Sequence, residues 1–127
     1  MQKDENDLRE RTKDFALRIV RMFSALPKTT EAQVLGKQLL RSGTSIGANY
    51  RAACRSRSRA EFAAKLGIVA EEADETIYWL ELIRDGNVLP ESKIADLLRE
   101  ADELTAIFTA GRRTSSRNQT SNIKLQT

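Results

Sequence analysis

Phe62, Leu66, Val69, Ala73, Thr76, Leu80 and Ile83 recur at alternating intervals of four and three residues. An α-helix completes a turn every 3.6 residues, so this spacing lays all seven side chains along one face. A strand would scatter them over both faces. A row this long and narrow is matched only by another helix of similar length lying alongside it. The chain must therefore build its core from parallel-axis helices.

Three further segments fit that requirement. The first spans about 8–26, with Phe15, Ile19, Met22 and Leu26 as its stripe, and Pro27 stops it. Asp7 followed by Glu10 predicts a capping box at its start. The second spans 30–53, with Thr30 and Gln33 as the expected cap. The third, carrying the seven-residue row, spans 58–84 behind a Ser58–Glu61 cap and ends at "DGN", Asp85–Asn87. The fourth spans 90–110, with Pro90 at its first position and Ile94, Leu97, Ala101, Leu104 and Phe108 inward. Lengths of roughly 28 to 40 Å at 1.5 Å per residue, joined by short breaks, predict an all-α, antiparallel up-down-up-down bundle. Residues 1–110 then form one domain, and Gly111 closes its last helix. Residues 111–127, "GRRTSSRNQTSNIKLQT", hold too little apolar surface to fold alone and are expected to be disordered.

The second segment contains an unusual stretch, "LLRSGTSIGANYRAA". On a helix, Leu35, Leu39, Ser42, Ile46, Asn49 and Ala53 share the core face, while Gly36, Leu40, Gly43 and Gly47 share a neighbouring one. Each helical glycine costs about 1 kcal/mol relative to alanine, so three on one side predict that another backbone comes close. A phosphate loop does not fit, because no glycine here is followed by the Lys-Ser/Thr pair that such a loop needs. In the third segment, Tyr78, Trp79 and Leu82 cannot all turn inward with Leu80 and Ile83. Together with the glycine face they predict a surface for self-association. The expected oligomer interface is Gly36, Leu40, Gly43, Gly47, Tyr78, Trp79 and Leu82.

Chemistry-bearing groups are sparse. The chain has no histidine, which removes the commonest general base and transition-metal ligand, and its one cysteine, Cys54, rules out an internal disulfide. Glu71, Glu72, Asp74 and Glu75 crowd one turn and a half, but bundle di-metal sites pair glutamates with Glu-x-x-His motifs. The reading is instead a buried polar cluster of Arg41, Ser42, Asn49 and Glu72, with no metal and no cofactor. An enzyme would have to use Glu72 or Glu75 as acid or base, or Cys54 as nucleophile with no imidazole to activate it. The expectation is a protein without catalytic residues or a small-molecule substrate.

Of the net charge of +3, the last seventeen residues carry +4 through Arg112, Arg113, Arg117 and Lys124, which leaves residues 1–110 at −1. The pI of 9.2 is therefore a tail property. Within the domain, Lys37, Arg41, Arg51 and Arg55 fall in one outward sector, with Arg57 and Arg59 just beyond. Aligned cations of this kind are candidates for sequence-independent binding of RNA or DNA phosphates. The highly charged "MQKDENDLRE" start and the absence of a long apolar run predict a cytoplasmic protein without a membrane partner.

From Phe15 to Ile83 the chain resembles the bacterial four-helix-bundle proteins named after ribosomal RNA intervening sequences. The blocks "QLLRSGTSIGANYRAA" and "EADETIYWLELI" carry the likeness. The fourth segment fits in pattern only. The resemblance implies a ring-like homo-oligomer, a pentamer in characterised relatives. A related branch includes the accessory protein of diversity-generating retroelements, which binds nucleic acid through basic surfaces and partners a reverse transcriptase. Lys37, Arg41, Arg51 and Arg55 match such a surface in type. The expected function is a non-enzymatic homo-oligomeric scaffold or adaptor, with RNA or DNA as its candidate ligand. The alternatives are an accessory role to a reverse transcriptase or on ribosomal RNA and, more distantly, a carboxylate-based enzyme.

Overall fold

The structure is a computed structural model that describes residues 2–126, with side chains from 5 to 117. It holds helices α1 (Gln2–Ala25), α2 (Thr30–Ala53), α3 (Arg59–Asp85) and α4 (Glu91–Gln126), with no strand among the described residues. Each helix packs on its predecessor across a short turn. α1 closes on α4 along a narrow seam, where the Arg11 guanidinium grips Glu100 at 2.7 Å. The bundle is thus four helices in sequence order around one core.

The inward stripes pack as their spacing requires. Phe15, Ile19, Leu39, Ile46, Val69, Ala73, Leu80, Ile83, Ile94, Leu104 and Phe108 are buried, while Phe62 at the start of the α3 row is half-buried. Thr76, a polar member of that row, meets its counterpart on α2. The Thr76 and Ser42 hydroxyls are 3.0 Å apart, and each also reaches a carbonyl of its own helix, Glu72 at 2.8 Å and Leu39 at 3.4 Å. A buried hydroxyl left unpaired would be expensive, so each stabilises the other's place in the core.

The helix ends correct several expectations. α1 begins at Gln2, so Asp7 lies inside the helix and forms no capping box. Thr29, not Thr30, caps α2, with its side chain accepting from the Ala32 amide. Gln33 instead donates from Nε2 to the Pro27 carbonyl, 2.9 Å away. Ser58 caps α3 by accepting from the Glu61 amide, as its spacing predicts, while Glu61 accepts from the Arg57 amide. At the other end of α3 the left-handed residue is Asn87 (φ 57°), with Gly86 at φ −80°. Val88 donates to Ile83 and Asn87 to Arg84, the paired bonds of a Schellman termination. Pro90 stands just before α4, its carbonyl accepting from Lys93.

Gly111 does not end α4. No glycine has positive φ, and a β-carbon at Gly111 would stand 3.3 Å from Leu66 Cδ1. The residue reads as a stop signal but serves as a close-packing position against α3. Helix therefore replaces the start of the expected disordered tail. The side chains of residues 118–127, including Lys124, lie outside the described residues.

Candidate nucleic-acid interface

The α2 glycines determine the shape of the surface above them. A β-carbon on Gly36 would meet Leu26 and Phe23, one on Gly43 would fall 2.9 Å from Ile19, and one on Gly47 would fall 3.2 Å from the Thr12 hydroxyl. As residue numbers rise along α1 they fall along α2, so the two helices run antiparallel in tight contact. The close approach expected of this face is real, but the helix seated on it is α1 of the same chain. Gly36, Gly43 and Gly47 are buried there, and Leu40 is half-buried, so these glycines are not available as an oligomer interface.

This register brings cations of two helices together. A groove of about 360 Å³ runs between α1 and α2, with Gly47 in its floor and Arg9, Lys13 and Arg51 along its sides; Glu10 is the one acid that lines it. Lys37 and Arg55 share the outward sector of α2 and its following turn. Among the described residues, Arg9, Lys13, Lys37, Arg51 and Arg55 form no ion pair. Arg9 Nε is buried and has no hydrogen-bond partner. Two half-buried α2 hydroxyls are satisfied within their own helix, Thr44 donating to the Leu40 carbonyl at 2.7 Å and Ser45 to that of Arg41 at 2.6 Å. What the groove offers a ligand is positive charge.

The six cations proposed from the sequence separate into three places. Lys37, Arg51 and Arg55 remain on the outer face. Arg41 is turned aside to α3, where it donates to Glu75 at 2.6 Å and Glu72 at 3.3 Å. That hydrogen bond to Arg41 is the main cause holding the Glu75 carboxyl below its ordinary range. Arg57 and Arg59 sit at the end of the bundle beside a separate cleft. Arg9 and Lys13 are the members that sequence reasoning missed. They lie on a different helix from the rest, and only the Gly47–Thr12 contact reveals that they face Arg51.

The expected buried polar cluster also divides. Ser42 is buried with Thr76, whereas Arg41 and Glu72 meet at the surface. Asn49 is half-buried and donates to the Ser45 carbonyl of its own helix, so it joins neither group. Glu72 and Glu75 are both engaged by one arginine. Cys54 lies beside Tyr50, whose hydroxyl pKa is pushed up by burial and by hydrogen bonding to that thiol. No three His, Cys, Asp or Glu groups among the described residues are placed to share a metal ion.

On α3 the outward turn expected of Tyr78 is present, whereas Leu82, expected to point outward with it, is half-buried. Tyr78 is 53% exposed, and its ring lies edge-on to Trp79 with centroids 5.1 Å apart. Trp79 is half-buried against the core and Leu82 is half-buried. No helix is long and apolar enough to cross a membrane among the described residues.

A family model for the 23S rRNA-intervening sequence protein matches residues 4–110. A solved structure from Bacteroides thetaiotaomicron VPI-5482, a protein of unknown function from the S23 ribosomal protein family, is 36% identical with a TM-score of 0.79. The match covers 86% of this chain and 97% of that one. No curated protein matches.

Proposed function

The chain belongs to the family of 23S rRNA-intervening sequence proteins, and from that premise we propose a non-catalytic scaffold that holds RNA or DNA by its phosphates. The observation that carries this reading is the set of cations without ion pairs among the described residues, Arg9, Lys13 and Arg51 lining the α1–α2 groove and Lys37 and Arg55 exposed on the outer side of α2 and its following turn. Cations already bonded to carboxylates gain little from a phosphate. Cations without partners release the counterions of a nucleic acid and bind it in a salt-dependent way. The groove lacks aromatic side chains to stack bases, so the reading is backbone binding without sequence preference. This supports a phosphate grip in either an rRNA-associated or a reverse-transcriptase accessory role. The carboxylate-enzyme alternative is disfavoured because Arg41 occupies both Glu72 and Glu75.

The test is fluorescence anisotropy with labelled RNA and DNA across a salt series. Affinity should fall steeply with salt. Lys13→Glu with Arg51→Glu should flatten that dependence by about 0.7 to 0.9 in slope for each phosphate no longer neutralised. Wild-type binding that survives those changes would place the ligand elsewhere.

A second reading, self-association, has its own support. Tyr78 stands exposed on α3 with its ring edge-on to half-buried Trp79, and half-buried Leu82 follows one turn later, so this face carries the apolar side chains that a second copy would cover. The scaffold is therefore proposed as a homo-oligomer joined through α3, which leaves the cationic face of each copy open.

A further inference from the structure

The end of the bundle where α1 begins and α2 turns into α3 holds a cleft of about 720 Å³, distinct from the α1–α2 groove. Its lining includes Leu8, Phe62, Leu66, Ile107 and Phe108. Tyr50 adds a buried ring, 5.2 Å from that of Phe108. The volume lies within the range of roughly 300 to 1,000 Å³ that encloses small organic ligands. Arg57 and Arg59 in the lining are exposed and form no ion pair among the described residues. Ser56 Oγ, also in the lining, is buried without a hydrogen-bond partner. Of the nearby acids, Glu61 is already held by Lys65 at 3.0 Å and by the Arg57 amide, and half-buried Glu5 is the one that lines the cleft.

We propose that this cleft binds a single-chain anionic amphiphile, a hydrocarbon body ending in a carboxylate or phosphate. The hydrocarbon displaces water from the apolar floor. The anionic head meets Arg57 and Arg59 and accepts from the Ser56 hydroxyl, which has no other partner. A neutral hydrocarbon would leave two arginines and a hydroxyl unused, and a cationic one would be repelled. The α4 extension past Gly111 completes the site, because Thr114 and Ser115 form part of the wall. A helix ending at residue 110 would leave that side open.

Isothermal titration of the full chain with decanoate, decanol and decyltrimethylammonium tests the proposal. Decanoate should bind one per chain, decanol more weakly and decyltrimethylammonium not at all. Arg57→Glu with Arg59→Glu, both at exposed positions that the fold tolerates, should weaken decanoate about tenfold or more, the loss expected of charge-assisted hydrogen bonds, while decanol is unaffected. Thr114→Trp, also at an exposed position, should block both. Equal binding of decyltrimethylammonium, or decanoate binding unchanged in the double arginine variant, overturns the proposal. So does binding to anionic phospholipid vesicles without binding of free decanoate, which would identify a membrane surface as the source of the anion. Lys13→Glu with Arg51→Glu should leave decanoate binding intact, so the cleft and the phosphate groove are read separately.

Discussion

Thr12 lies against Gly47, its hydroxyl oxygen 3.2 Å from where a β-carbon on that glycine would stand. The threonine is fully buried and donates to the Leu8 carbonyl at 2.7 Å. This contact fixes the height of α1 against α2, and with it the meeting of Arg9 and Lys13 with Arg51. Packing and the candidate interface are consequences of the same pair.

Gly47→Leu should therefore force α1 away from α2. Overpacking of a tight contact costs about 1–3 kcal/mol, and the urea midpoint should fall accordingly. Ala48→Leu, one residue along and exposed, should leave stability within about 0.5 kcal/mol of wild type. Equal effects at the two positions would refute the close approach.

Thr76→Val alone strips Ser42 of its cross-helix partner and should destabilise by about 1–3 kcal/mol. Ser42→Ala added to Thr76→Val removes both polar groups, and most of the destabilisation should be recovered. A double-mutant cycle in urea measures the coupling, and simple additivity would show the hydroxyl pair to be energetically idle.

The Arg41–Glu75 pair gives a pH signature. The folded-state pKa of Glu75 is lowered, chiefly by its hydrogen bond to Arg41. Its contribution is thus fully present above the unfolded value, near the ordinary 4.5, and is lost as pH falls through the depressed folded value. The pair is solvent-screened, so Arg41→Ala should cost less than about 1 kcal/mol at neutral pH. That difference should vanish on acidification below the carboxylate range, as read from melting temperatures across pH.

Asn87 occupies the left-handed position that ends α3. Asn87→Ala should cost about 1 kcal/mol, because a β-carbon without a compensating side-chain hydrogen bond is disfavoured there. Asn87→Gly should be neutral or slightly stabilising. Thermal unfolding that ranks alanine above glycine would contradict the observed backbone.

Trp79→Glu with Leu82→Glu should convert an oligomer to a folded monomer, as measured by light scattering with circular dichroism as the folding control. A wild-type chain that scatters as a monomer at micromolar concentration removes the case for α3 as a contact surface.

Helix number, helix order and the inward stripes could be read from the residues, since 3.6-residue periodicity is imposed by backbone geometry within a few positions. Phe15, Leu39, Val69 and Leu104 needed no knowledge of their partners to be placed inside. The glycine face of α2 showed that something would come close, but not that α1 would occupy it. Nor could the sequence separate the two fates of the basic sector, because Lys37 and Arg41 have similar local surroundings. Arg41 is neutralised and Lys37 is not because α3 holds Glu72 and Glu75 within reach of one and not the other. Such distances depend on the lateral register between helices, which is set by side chains far apart in the chain and exists only once the bundle is packed.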